Sequence, residues 1–444
     1  MFLSYEITLP FSYDYTRVLQ LVSVLAHSLL YFYLFWLSGS ALLSYYYEFI
    51  KRSDPSTVFA KRLIDLTFRK LSFPLVLGIL PFLVIFSIDL IWLRDPAFKA
   101  LHNWSIVSLV IFLCSIPALY YYKFSFALIN ILPKTVIDKE SSDFLNLMEN
   151  SLKNHKRSAL FGTLGILITL YLVSVLNVAR INYNPTDYNF DFIAYTLRLD
   201  VNFRFLFNLI LSFSVTYLIN LFLNFVWDDT KLKTTEGLSE FMREKLVKGA
   251  FVTVLLQPVF ILLEVLILPR NSLSYWVFIS SGIVLILLFL ISNQLKAYRK
   301  EYLDSYLRYS FYLIVLAVIF ISVKDVVVFA NVIKPETVKI SQSFLSYEEN
   351  LKTKLNIKTV TFSGEEIFTA KCSACHRFDQ KLVGPPYNVV LQKYENKKDQ
   401  LVKFILNPVK VDPAYPPMPA QGLIPPEAEA VADYIMKVYQ ENKK

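Results

Sequence analysis

Eight long apolar runs decide what this chain of 444 residues can fold into. With approximate edges they are Val18–Tyr45, Leu71–Leu93, Trp104–Tyr122, Ser158–Asn177, Phe203–Trp227, Gly249–Leu268, Ser274–Gln294 and Tyr309–Val328. A helix of about twenty apolar residues spans the hydrocarbon core of a bilayer. The third run is read as reaching Leu132, an interfacial extension past Lys123. Pro81, Pro117 and Pro258 fall inside runs and predict kinks, because membrane helices tolerate proline where neighbours re-satisfy the backbone. The expected fold class is therefore all-α. A polytopic bundle of about eight transmembrane helices fills residues 1–331, and a small all-α domain follows.

Charge gives the expected topology. The connections 46–70, 133–157, 228–248 and 295–308 hold roughly twenty Lys and Arg, whereas the N-terminus and the connections 94–103, 178–202 and 269–273 hold about six. The excess falls on alternate connections, as the positive-inside rule requires. The basic set is then cytoplasmic, the N-terminus lies outside, and eight crossings return the chain to the outside. The formal net charge of +9 sits mostly on those cytoplasmic connections, so it implies no nucleic-acid partner. No cleavable signal peptide is expected. The first run is too long, and Arg17 is the one basic residue before it.

Near the C-terminus stands Cys372-Ser-Ala-Cys375-His376. Two thiols at this spacing followed by an imidazole form the attachment signature of a c-type haem. The thiols add to the two vinyl groups, and the histidine is held beneath the iron. A zinc site would need further Cys or His ligands, and the remaining cysteine, Cys114, lies far away in an apolar run. A thioredoxin-like pair would sit near a βαβ pattern, and none is visible. Haem is attached in this way outside the cytoplasm, on the side where the topology places this tail.

The flanks of the motif extend the reading. Gly364-Glu-Glu-Ile-Phe368 precedes it, Gly384-Pro385 follows it, Tyr415-Pro-Pro-Met418-Pro419 comes later, and Asp433–Tyr439 has helical apolar periodicity. From about Val360 onward the chain resembles the class I, single-haem cytochrome c family. The resemblance implies that Cys372 and Cys375 hold one covalent haem c and that His376 and Met418 ligate its iron. It also implies that the Pro385 carbonyl orients His376, raising its basicity as such partners do, and that the last helix packs on the first. Met436 sits mid-helix among core-like residues and is read as filler. With both axial positions taken by protein, the domain moves single electrons and makes no bonds. Its charge is nearly balanced, so it specifies no strongly charged partner.

Between the two parts, residues 332–358 are polar and charged. They read as a periplasmic tether, helical around Ser343–Leu355, that would reach on the order of 90 Å if fully extended. The cytochrome domain is placed at 359–444.

The spans carry little histidine. His155 lies in a basic connection and is read as solvated, and His102 lies at the outer end of the third run. His27 alone is well inside a span, about 15 Å along the helix from Arg17. Arg17-Val-Leu-Gln-Leu … Ala26-His27 resembles the opening of the first subunit of the bd-type quinol oxidases, where a histidine at this place binds haem b. Trp104–Tyr122 lacks the glutamates of that family, and no histidine follows His155 before the c-type motif. Asp89 and Glu264 lie in the same outer half as His27, with Arg180 and the pair Lys324-Asp325 near outer ends. Ionisable groups inside a membrane default to functional hypotheses. His27, Asp89 and Glu264 are accordingly the candidate membrane site, with haem b or quinone as its possible cofactor. Ordinary ion pairing is the competing reading. Gln257, Asn208 and Asn220 are expected to bond between helices.

The sequence thus points to a multi-pass subunit of a respiratory electron-transfer complex in a bacterial cytoplasmic membrane, with its cytochrome domain in the periplasm. Its expected partners are the other subunits, membrane lipid, and donor and acceptor proteins or quinol. Two alternatives stand beside this. The chain could be a catalytic, bd-oxidase-like subunit passing electrons from quinol to its own haem c, or an assembly subunit whose cytochrome is secondary.

Overall fold

A computed structural model describes residues 13–94, 98–135, 141–182, 190–227, 230, 235–355, 362–395 and 397–442. Helices account for the secondary structure, with no strand among the described residues. The chain divides into two compact units, Met1–Leu345 and Ser346–Lys444.

The first unit holds eight helices long and apolar enough to cross a membrane. In chain order its elements are α1 (Tyr13–Tyr45), α2 (Asp54–Thr67), α3 (Leu80–Trp92), α4 (Lys99–Thr135), α5 (Ser142–Ile181), α6 (Phe192–Thr196), α7 (Leu199–Phe225), α8 (Glu236–Ile267), α9 (Tyr275–Glu301) and α10 (Asp304–Val332). All eight expected runs are present, and several helices outrun them. The 40 residues of α5 make a rod of about 60 Å, roughly twice the hydrocarbon thickness. Its start is fixed by Ser141, whose side chain accepts from the Phe144 amide at 3.3 Å, a standard N-cap. Pro117 and Pro258 lie within unbroken α4 and α8. Ahead of Pro81 the helix widens into a π-helical turn, Pro74–Ile79; proline has no amide to give to the carbonyl four residues back.

Helix α1 is the hub of the unit and packs on α2, α3, α5, α7 and α10. Gly39 permits its approach to α7, because a Cβ there would run into Thr216 Oγ1 and the Ser212 carbonyl. Helix α2 lies in the connection 46–70. It begins Asp54-Pro55 and buries Phe59, Ala60, Leu63, Ile64 and Thr67, the stripe of an amphipathic helix.

The structure corrects the reading of His155. The apolar run ends near Ser158, but α5 continues through the histidine toward its own N-terminus. The ring is buried, at 3% exposure, against Phe49, Tyr122 and Phe126. Its Nδ1 lies 2.7 Å from Ser125 Oγ.

Helix α11 (Lys334–Lys354) covers most of the stretch 332–358. Its helicity begins well before Ser343, and the division between units falls inside it. The end of that stretch and the start of the domain placed at 359 lie partly outside the described residues.

The second unit contains α12 (Gly364–Ile367), extended by a π-helical turn Phe368–Cys372, then α13 (Tyr387–Val390), α14 (Lys398–Leu406) and α15 (Pro425–Asn442). Helices α12 and α14 both pack on α15. Gly364 makes the first crossing possible, since a Cβ would meet the Ala430 carbonyl and come within 2.7 Å of Tyr434 Cβ. Leu391, Leu401, Ile405, Val431 and Ile435 form the small core.

Candidate functional site

The second unit is built around its Cys-x-x-Cys-His motif. The amides of Cys375 and His376 donate to the Cys372 carbonyl at 3.1 and 3.0 Å, which winds the motif into one tight turn. The Gly384 amide donates to the Cys375 carbonyl at 2.8 Å and the Tyr387 amide to the Arg377 carbonyl at 2.9 Å. These bonds fold the segment after the motif back over His376. The Nδ1 of His376 then reaches the Pro385 carbonyl at 3.1 Å. A carbonyl only accepts, so Nδ1 carries the proton and Nε2 presents its lone pair. Tyr387 stacks on the imidazole, with centroids 4.8 Å apart and planes 6° from parallel. Gly384 touches the other part of this cradle, where a Cβ would come within 2.7 Å of Nδ1.

His376 opens into a cavity with about 1290 Å³ of open space, solvent-connected volume included, and Met418 lines the same cavity. Its other walls include Leu391, Leu401, Ile405 and Ile435 from the apolar core. Met436 packs on that core. Cys372 and Cys375 form no disulfide with each other. Burial, and secondarily the neighbouring Cys375, pushes the Cys372 thiol up to about 11, so it stays protonated at neutral pH. Burial also raises the Tyr387 phenol, with the two cysteines adding to the effect. A haem fits this donor set. There are two thiols at vinyl spacing, an imidazole with a free Nε2, a thioether on the same cavity, and a glycine where a side chain would strike the imidazole.

This constellation in an all-α domain defines a class I cytochrome c domain. Residues 363–438 match the family model of cytochrome c. The same region is 40% identical over 79 residues to cytochrome c-551 of Pseudomonas denitrificans, covering 95% of that protein and 17% of this chain. It is 33% identical over 84 residues to cytochrome c-552 of Hydrogenobacter thermophilus, covering 85% of that protein and 18% of this chain. Through this domain the chain belongs to the cytochrome c family, and a cytochrome c domain implies a covalent haem c and electron transfer.

In the first unit, six helices bring ionisable groups to one end of the bundle. Antiparallel alternation explains the meeting place. The starts of α1 and α7 lie beside the ends of α3, α5, α8 and α10. His27, Glu264, Arg180, Arg204 and Asp325 line one cavity of about 60 Å³, within about 730 Å³ of empty space that includes open solvent. Arg204 is paired with Glu264 and with Asp325, and Lys324 with Glu264. Lys324 Nζ also lies 3.3 Å from Asp325. Asp89 is buried and paired with Arg180, so it joins the site through that partner. Tyr31 donates to Asp325 at 3.1 Å and receives from Asn177 at 2.9 Å. His102 is turned elsewhere, with Nε2 3.0 Å from the Leu93 carbonyl.

Sequence reasoning missed Arg204. The signal was present, since an arginine one residue into an apolar run needs a buried acid. Asn208 bonds to Ser174 of α5 at 2.9 Å, an interhelical contact of the kind expected. Asn220 instead donates to the Thr216 carbonyl of its own helix at 2.8 Å. Gln257 is buried, and neither of its side-chain polar atoms has a hydrogen-bond partner among the described residues.

Proposed function

We propose that this chain is a membrane-bound c-type cytochrome subunit of a respiratory electron-transfer complex. It relays single electrons at the periplasmic face of a bacterial cytoplasmic membrane. The observation that carries this reading is the shared cavity of His376 and Met418, directly after the two attachment thiols, in a chain whose preceding helices are long and apolar enough for eight crossings.

Cys372 and Cys375 would hold the haem and His376 and Met418 its iron, while Pro385 fixes the imidazole through the Nδ1 bond. When bound, haem c supplies a one-electron couple. With His376 and Met418 holding it in an apolar crevice, such a group would exchange electrons without taking up a further ligand. The orientation is supported by the charge asymmetry of the connections and by the even number of spans. Its donor and acceptor would be other subunits of that complex, other electron-transfer proteins or quinol.

The purified chain should show c-type absorption that survives acid-acetone extraction, and Cys372→Ala should abolish it. In intact spheroplasts, external protease should release a haem-bearing fragment. A chain without covalent haem, or a tail protected until the membrane is opened, would refute the reading.

A further inference from the structure

The cavity at the end of the bundle has an acceptor that no described residue satisfies. His27 Nδ1 lies 2.8 Å from the Ser23 carbonyl, so Nδ1 carries the proton and Nε2 is an acceptor. The residue is 8% exposed, and no described residue donates to Nε2. Most neighbouring donors are committed, although the Nε–H groups of Arg180 and Arg204 are buried without a partner among the described residues. Tyr31 is bonded to Asp325, Asn177 to Tyr31, Arg204 to Glu264 and Asp325, and Arg180 to Asp89. Nε2 is not one of the sealed atoms of the bundle and His27 lines the cavity, so this acceptor is open to a hydroxyl from outside the chain.

Two further features narrow the ligand. The charges around the cavity balance once their partners are counted: Arg180 against Asp89, Arg204 with Lys324 against Glu264 with Asp325, and Asp200 against Arg198. An ionised ligand would leave an unmatched charge in a poorly solvated site, which is expensive. The cavity also reaches the apolar flank of the bundle. Its lining residues Phe203 of α7 and Ile267 of α8 are 37% and 41% exposed, and α8 is largely uncovered by other helices. A second, smaller cavity of about 30 Å³, lined by Phe82, Phe86 and Tyr31, also has His27 in its lining.

We propose that this cavity binds a neutral amphiphile that enters from the bilayer between α7 and α8 and donates a hydroxyl hydrogen bond to His27 Nε2. Its apolar part lies along Phe203 and Ile267. A long-tailed hydroquinone and a diacylglycerol both offer this chemistry. The inference rests on the membrane reading of the first unit and is independent of the haem.

Equilibrium binding to the full-length holoprotein in phosphatidylcholine nanodiscs tests it. One arm uses a radiolabelled isoprenoid-tailed hydroquinone kept reduced under anaerobic conditions, the other radiolabelled dioleoylglycerol. Saturable binding in either arm is expected, and the arm that saturates identifies the source. His27→Ala should weaken it about tenfold, the worth of one buried hydrogen bond. Ile267→Trp narrows the entrance from the lipid side, without touching the core, and should weaken it as well. Leu266→Trp, at a 79% exposed neighbour, should leave it unchanged. The proposal falls if neither ligand saturates the wild type, if both the His27 and Ile267 variants bind as wild type, or if oleate competes as effectively as the neutral ligands. Covalent haem absorbance, recorded on each sample, shows separately whether the cytochrome reading stands.

Discussion

At the scale of single residues, the haem crevice depends on positions where one atom decides the outcome. Gly384→Ala would push a methyl into the His376 ring. We expect that variant to lose the sulfur-ligated ferric spectrum and about 1–3 kcal/mol of domain stability, measured by chemical denaturation followed at the haem band. Met418 and Met436 separate cleanly. Met418→Ala should open the iron, so that the ferrous protein binds carbon monoxide. Met436→Ala should cost on the order of 1 kcal/mol and leave the protein insensitive to the gas. Most of this crevice was legible in the sequence, because covalent attachment needs contiguous residues and proximal ligation needs the next one. His155 was not legible. Its neighbours in sequence are basic, and only the continuation of α5 turns its ring toward α1 and α4.

At the scale of helices, α7 shows how a membrane element can carry a winding polar row. Arg204, Asn208, Ser212, Thr216, Asn220 and Asn224 recur every four residues, and all are buried. Each step of four advances about 40° round a helix of 3.6 residues per turn, so the row winds about half-way round α7; it could be read from sequence, but what it faces could not. Thr216 reaches the Trp36 carbonyl of α1 at 3.1 Å, beside Gly39. Gly39→Ala should therefore lower the melting temperature of the detergent-solubilised chain, and adding Thr216→Ala should recover part of the loss, because it removes one of the clashing atoms. In the second unit, Ser363 accepts from the Glu366 amide at 3.2 Å. Ser363→Ala should cost about 1 kcal/mol, the usual worth of an N-cap, read as an earlier loss of the haem band in denaturant. The signal for α2, a proline at the start of an amphipathic stripe, was also present. A charged connection between two apolar runs concealed it.

At the scale of the whole molecule, the parity of the crossings did what no local motif could. It placed the starts of odd spans and the ends of even spans together, and the structure fills that place with a neutral group of six charges from five helices. Removing one member leaves a partner buried and uncompensated, a loss of about 3–5 kcal/mol. Arg204→Met should thus melt the first unit much earlier. Arg204→Met with Glu264→Gln should be milder, since Lys324 can still serve Asp325. Each unit has its own core, so the c-type absorption should be the same in both variants; differential scanning calorimetry beside visible spectra would show this. The balanced cluster also constrains ancestry. An arginine cannot drift away alone at position 180 or 204, and neither can its acid, because every intermediate passes through a crippled bundle. Lineages carrying this architecture should exchange these residues in matched sets or keep them all.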